Sequence, residues 1–79
     1  MIKHTIGSAK IFVCESTANC IVYNPNQSQH IAEYIQQNNY VCGAIYHPLL
    51  DTALELHKLV GGDIYTDIEG ADQYKKTLC

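Results

Sequence analysis

Apolar residues recur with helical spacing in two stretches of the chain. Between positions 48 and 60 they fall on one face at about 100° per residue. Pro48 suits the first turn of a helix, and Gly61-Gly62 suits its end. This pattern predicts a core-facing helix over 48–60 in which Leu56 is buried. The predicted buried face comprises Leu49, Leu50, Ala53, Leu54, Leu56 and Val60.

The remaining apolar runs have the composition and period of strands. A shorter helical pattern centred on Ile31 and Ile35 predicts a second helix over 27–38. Residues 10–14, 20–23 and 40–46 are rich in β-branched and aromatic side chains, and residues 63–68 alternate polar and apolar positions. Residues 1–6 fit a short edge strand or an arm, residues 69–72 a turn, and residues 73–79 a polar tail or one helical turn.

The order of these elements is β-β-α-β-α-β. It predicts a single α+β domain over residues 1–79, with a small antiparallel or mixed sheet and two helices packed on one face. The short connection between runs 10–14 and 20–23 favours an antiparallel hairpin. A chain of 79 residues is long enough for one core.

The net charge and the lack of arginine limit the kinds of partner that the protein is expected to bind. The chain has five lysines, no arginine and eight acidic residues, which gives a net charge of −3. Because arginine supplies most bidentate contacts to phosphate and guanine, we expect no direct binding to nucleic acid. No apolar run reaches the ~20 residues that a membrane span needs, so we expect no membrane association. The N-terminal residues lack the apolar stretch of a signal peptide, and we expect a cytoplasmic protein.

The four cysteines are at positions 14, 20, 42 and 79. Without an export signal, an even number of cysteines does not indicate a disulfide framework. We therefore predict free thiols and no obligatory disulfide, with a pair between Cys14 and Cys20 as the alternative.

Histidine offers two interpretations at His57, which falls inside the apolar arc of the second helix. It is either a ligand or base held in a pocket, or a core histidine satisfied by one hydrogen bond. The second is favoured because the sequence fixes no partner for it. Neither the cysteines nor the histidines have the close paired spacing of a zinc site, so we predict no metal and no cofactor.

Half of the acidic residues lie within ten positions, at Asp63, Asp67, Glu69 and Asp72. The pattern of a calcium-binding loop is missing there. One interpretation is an ordinary solvated surface of a strand and turn. The other is a docking surface, because aromatic anchors beside charges are typical of interfaces. The predicted binding residues are Asp63, Tyr65, Asp67, Glu69 and Asp72.

These observations favour a small acidic protein-binding module without enzymatic activity, which occupies a basic protein or protein complex. In size and charge the chain is similar to phage-encoded inhibitors of bacterial defence complexes, such as anti-CRISPR proteins. The similarity covers no motif, and it implies an inhibitor that blocks a basic, nucleic-acid-handling complex. One alternative is a small enzyme or redox protein that uses Cys14, Cys20 or His57. The other is a structural homo-oligomer subunit, such as a homodimer, that pairs an exposed strand edge with its own copy.

Overall fold

The computed structural model describes residues 1–79 and contains five strands and three helices. The α+β class is confirmed, and the helices predicted over 27–38 and 48–60 are both present. In chain order the elements are β1 (Ile2–Ile6), β2 (Ala9–Val13), β3 (Asn19–Tyr23), α1 (Ser28–Gln37), β4 (Val41–Tyr46), α2 (Leu50–Val60), β5 (Asp63–Tyr65) and α3 (Ile68–Lys76).

The strands form one mixed sheet in the order β1-β2-β3-β4-β5. β1, β2 and β3 pair antiparallel through short connections, which confirms the predicted hairpin between β2 and β3. β3, β4 and β5 pair parallel, because α1 and α2 carry the chain back between them. The residues that fit either an edge strand or an arm form the edge strand β1.

One face of the sheet, here called the first face, is covered by α1 and α2. Its core cluster contains twelve buried residues, all apolar or cysteine. The helical period explains the contact, since Ile31 and Ile35 of α1 and Leu56 of α2 point at the sheet and are at most 2% exposed. Leu56 is fully buried, as predicted.

The other face, here called the second face, is covered by α3, a helix that was not predicted from the sequence. The predicted strand over 63–68 ends at Tyr65, and the predicted turn over 69–72 lies inside α3. A helix forms there because the Asp67 carboxylate accepts a hydrogen bond from the Gly70 N–H at 2.7 Å and so caps the helix. Ala71 and Leu78 then pack on the second face. The prediction that the helices cover one face only is therefore wrong.

Gly43 makes room for α3 on the second face. The pairing of β3 with β4 shifts by one residue there, so that Cys20 pairs with Cys42 and Ile21 with Ala44. A Cβ atom at Gly43 would collide with the Tyr74 hydroxyl and the Asn19 side chain. These two side chains are hydrogen-bonded across Gly43 at 2.8 Å.

A disulfide joins Cys14 to Cys79, with 5.5 Å between their Cα atoms. The prediction that all four cysteines are free is therefore wrong for this pair, and the alternative pair with Cys20 does not form. α3 returns the end of the chain to the β2–β3 connection, where Cys14 lies. Because the two cysteines are 65 positions apart, no local spacing could reveal the bond.

Candidate protein-binding surface

The loops that follow β4 and β5 lie side by side at one end of the sheet. The His47 N–H donates a hydrogen bond to the Tyr65 carbonyl at 3.1 Å, which joins the two loops. In open sheets with parallel strands, ligands bind outside the carboxyl ends of the strands. This end of the sheet is therefore the candidate location of a binding surface.

Three large apolar side chains are exposed at this end of the sheet. They are Leu49, which is 63% exposed, Leu50 at 52% and Ile68 at 47%. Exposed carboxylates accompany them in the first turns of α2 and α3. We call this group the carboxyl-end surface; it comprises Leu49, Leu50, Asp51, Asp67, Ile68 and Glu69.

The start of α2 explains why its first two leucines are exposed. The His47 ring accepts a hydrogen bond at Nδ1 from the Leu49 N–H at 3.0 Å, which tightens the turn before the helix. Leu49 then lies just outside the helix in an extended conformation, with φ −103°. The prediction that Leu49 and Leu50 belong to the buried face is therefore wrong. An apolar arc wider than the buried stripe was the one signal in the sequence for their exposure.

Three of the predicted docking carboxylates also stabilise α3. Asp67 is the N-cap described above, and Glu69 in the same first turn is favoured by the helix dipole. The Asp72 carboxylate accepts a hydrogen bond from the Tyr23 hydroxyl at 2.8 Å. Burial, this hydrogen bond and the charge of Asp72 raise the pKa of Tyr23 above its usual value.

The other predicted docking residues lie on β5. Tyr65 is half-buried against α3, beside Gly70, and its ring centroid lies 6.0 Å from that of Tyr74. Asp63 is exposed at the start of the strand. The fold therefore brings Asp67 and Glu69 together with the exposed apolar side chains, whereas Asp63 lies at the other end of β5 and Asp72 further along α3.

The carboxylates of the carboxyl-end surface have no cation within ion-pair distance. The one ion pair of the molecule joins the Met1 amino group to Glu15 at 3.7 Å. Lys75 and Lys76 lie in the last turn of α3, and Lys58 lies in the last turn of α2. Each lysine thus sits at the opposite end of its helix from the surface, which leaves the surface with negative charge only.

The candidate residues for thiol or histidine chemistry are bonded or buried. Cys14 is in the disulfide, and Cys20 and Cys42 are buried on neighbouring strands. The contact with Cys20, together with burial, raises the pKa of the Cys42 thiol. His57 is half-buried, and its Nδ1 makes a 2.9 Å hydrogen bond with the Gly62 carbonyl. This is the single satisfying bond that the favoured interpretation of His57 requires.

No group of three or more histidine, cysteine or acidic side chains is placed to hold a metal ion. No helix combines the length and the apolar composition that crossing a bilayer requires. A hollow of about 480 Å³ lies beside the second half of α3, lined by Met1, Asp72, Lys75 and Lys76. Its mixed charges do not favour one kind of ligand.

Comparison with family models, curated proteins and solved structures gives no match to this chain. Function is therefore inferred from the surface itself.

Proposed function

We propose that the protein is a non-enzymatic binding module that docks on a basic protein through its carboxyl-end surface. The observation that carries the proposal is the combination of three exposed apolar side chains with unpaired carboxylates at the carboxyl ends of β4 and β5. Apolar side chains supply the buried centre of an interface, and charges at the rim select the partner.

The charge of the surface favours a basic partner over an acidic one. Asp51, Asp67 and Glu69 contribute three negative charges, and no lysine lies among them. An exposed patch of one sign raises the association rate with a partner of the opposite sign. At physiological ionic strength, salt screens exposed charges that are more than about 8 Å apart. Binding through this surface should therefore weaken as salt is added.

A nucleic-acid-handling complex fits these requirements, since its nucleic-acid groove is basic. Occupation of that groove would inhibit the complex, as the similarity to phage-encoded inhibitors implies. A partner of this kind lies in the cytoplasm, where thiols are kept reduced and a disulfide such as Cys14–Cys79 is rare. The proposed surface does not require that bond, because it lies at the start of α3 whereas Cys79 follows the end of that helix.

The test compares two charge-reversal variants that change net charge by the same amount. Asp51→Lys with Glu69→Lys alters the carboxyl-end surface, whereas Glu15→Lys with Glu33→Lys alters exposed sites in the β2–β3 connection and on α1, away from it. Immobilised wild type and both variants are exposed to lysate of the source cell, and captured proteins are compared. We expect a partner that the wild type and the Glu15/Glu33 variant retain and that the Asp51/Glu69 variant loses.

Kinetics with the identified partner then separate the charged rim from the apolar centre. The Asp51/Glu69 variant should associate about tenfold or more slowly at low salt, and the difference should shrink at high salt. Leu49→Ser with Leu50→Ser should speed dissociation, whereas Val41→Ser, at the other end of β4 and 62% exposed, should not. Equal binding by both charge variants, or an equal loss in both, would contradict the proposal.

A further inference from the structure

The outer side of β1 is a free sheet edge. β1 pairs with β2 on one side only, and Lys3, His4 and Thr5 are exposed. No hydrogen bond outside the β1–β2 ladder involves residues 2–6. Such an edge presents unpaired N–H and C=O groups to any strand that can align with them.

The ladder fixes which backbone groups point outward. Gly7 and Ser8 form a two-residue turn, with φ +58° at Gly7, so Ile6 and Ala9 are the hydrogen-bonded pair that closes the hairpin. Bonded and non-bonded pairs alternate along an antiparallel ladder. The bonded residues of β1 are therefore Ile2, His4 and Ile6, and the N–H and C=O groups of Lys3 and Thr5 face away from β2.

The pairing of β2 with β3 independently confirms which residues of β1 are bonded to β2. The Cys14 N–H donates to the Asn19 carbonyl at 2.8 Å, in the continuation of the β2–β3 ladder. Even-numbered residues at this end of β2 therefore bond to β3, and odd-numbered ones, such as Ile11 and Val13, bond to β1. Four hydrogen-bonding groups of β1 remain free, two on Lys3 and two on Thr5.

We infer that β1 pairs antiparallel with the β1 strand of a second copy, about a twofold axis at His4, and that this pairing makes the protein a homodimer. In this register Lys3 exchanges both hydrogen bonds with Thr5 of the second copy, and all four free groups of each strand are satisfied. Ile2 lies opposite Ile6 of the second copy, and His4 lies opposite its own equivalent. The inference does not depend on the proposed function.

The sequence of β1 is self-complementary only in this register. An axis at Lys3 would place two lysines directly opposite each other, which destabilises a pair of strands. An axis at Thr5 would place Lys3 opposite the Gly7 turn. An axis between two residues would set outward-facing groups against inward-facing ones. The pairing centred on His4 avoids all three faults and is isologous, as a closed dimer requires.

The side chain at the axis is already ordered in the single chain. The His4 ring stacks on Tyr34 of α1, with 4.2 Å between ring centroids and 6° between planes. A side chain held in place before binding loses less entropy when it becomes part of an interface. Ile2 and Ile6, which are half-buried, gain an apolar neighbour on the same face of the joined sheet.

The opposite edge of the sheet is much less suited to pairing. β5 has three residues, follows two glycines and begins with the charged Asp63. Short, charged edges are how sheets avoid edge-to-edge contact. β1, in contrast, has five residues with no proline and no bulge, and its one charged residue, Lys3, lies opposite the uncharged Thr5 in the proposed register. A second copy is therefore expected on β1, and the carboxyl-end surface beside β4 and β5 stays free.

Sedimentation equilibrium tests the dimer with a matched pair of variants, Thr5→Pro and Thr5→Val. Proline removes an outward N–H and breaks no bond to β2, whereas valine keeps the N–H in a β-branched residue. Over about 1 μM to 1 mM protein, the wild type and the valine variant should dimerise alike. The proline variant should raise the dimer dissociation constant about tenfold or more, because two hydrogen bonds per dimer are lost.

Cross-linking tests the register. In the dimer, thiols introduced by His4→Cys lie directly opposite each other at a non-bonded pair, within the Cα separation that a disulfide accepts. Under mild oxidation this variant should form a covalent dimer through the introduced thiols, identified by peptide mass. Thr5→Cys should form little, since its side chain lies opposite Lys3 of the second copy. Circular dichroism checks that each variant is folded.

Three results would overturn the inference. They are a wild type that stays monomeric at all concentrations, a dimer that Thr5→Pro leaves unchanged, and cross-linking that is equal or stronger for Thr5→Cys. None of these bears on binding to a basic partner, so failure of the dimer and failure of the proposed function are distinguishable.

Discussion

The two faces of the sheet are covered by different means. On the first face, α1 and α2 enclose twelve buried residues. No side chain of either helix is hydrogen-bonded to a strand. On the second face, α3 covers six buried residues. It is fixed there by a capped start, the bonds from Asn19 and Tyr23, a Lys75 ammonium 3.9 Å above the Phe12 ring, and the disulfide.

This difference shows how a short chain holds a helix that has little apolar surface to bury. α3 has one buried residue within its bounds, Ala71, whereas α1 has three. Hydrophobic burial scales with area, so α3 gains less from it than α1 and α2 do. Hydrogen bonds, the contact between Lys75 and Phe12, and the disulfide therefore contribute a larger fraction of the stabilisation of α3. We expect the second face to open before the first.

The largest expected effect comes from removing the disulfide. Cys79→Ser frees a loop of 65 positions in the unfolded chain, and the entropic account of cross-links gives a loss of about 4 kcal/mol in unfolding free energy. Chemical denaturation measures it. Hydrogen exchange should rise first in α3, because the disulfide lies just beyond its end.

Reductant supplies the control for this variant. It should lower the thermal midpoint of the wild type and leave that of Cys79→Ser unchanged. A wild type that is insensitive to reductant would show that the second face does not depend on its covalent link, and would restore the initial expectation of a protein without an obligatory disulfide.

The second effect breaks the first face. Leu56→Ala should cost about 3 kcal/mol, within the range for truncating a fully buried leucine. Leu59→Ala on the same helix, where the side chain is 38% exposed, should cost less than 1 kcal/mol. Urea denaturation of both variants measures the difference. Similar losses would mean that α2 packs through another face.

The third effect, that of Gly43→Ala, separates the two faces of the sheet, because the substitution disturbs the second face alone. Gly43→Ala places a methyl group where the Tyr74 hydroxyl and the Asn19 side chain meet, and overpacking of this kind costs about 1–3 kcal/mol. Hydrogen exchange should rise in α3 and stay unchanged in α1 and α2. Pairing it with Tyr74→Phe identifies the cause, because the Phe variant removes the colliding hydroxyl and should recover part of the loss.

The smallest effect depends on pH. Because the pKa of Tyr23 is raised in the folded protein, its contribution is complete below the pKa of about 10 that an unfolded tyrosine has, and it is lost as pH rises above that value. At pH 8 Tyr23→Phe should be less stable than the wild type by about 1 kcal/mol. Above pH 10 the gap should close. A gap that is constant from pH 8 to 11 would contradict the raised pKa, and no gap at pH 8 would show that the bond to Asp72 adds no stability.

Much of the first face could be predicted from the sequence, and much of the second could not. The 3.6-residue period of α1 and α2 is strong because each places a full apolar stripe on the core. α3 has a glycine in its first turn and a low apolar content. The alternation of polar and apolar residues over 63–68, just before and at its start, predicts a strand longer than the one observed. The N-cap bond of Asp67, which ends that alternation, is visible only in three dimensions.

The candidate surface was half predictable for a related reason. Asp67 and Glu69 stand out as a local excess of charge, which composition reveals. Leu49, Leu50 and Ile68 do not, because an apolar residue at a helix start looks the same in sequence whether it is buried or exposed. They come to one end of the sheet only because β4 and β5 pair side by side, with Ile45 next to Ile64, 19 positions later in the chain.

The Cys14–Cys79 bond also makes most of the chain a closed ring. A protease that cuts any one peptide bond between positions 15 and 78 leaves both pieces covalently joined. When the chain is pulled from its first residue, only residues 1–13 can extend, to about 45 Å, before the force acts on the ring. β1 and β2 lie in that short segment, outside the ring. Mechanical force can therefore detach β1, the free edge, from the sheet while residues 14–79 remain covalently closed.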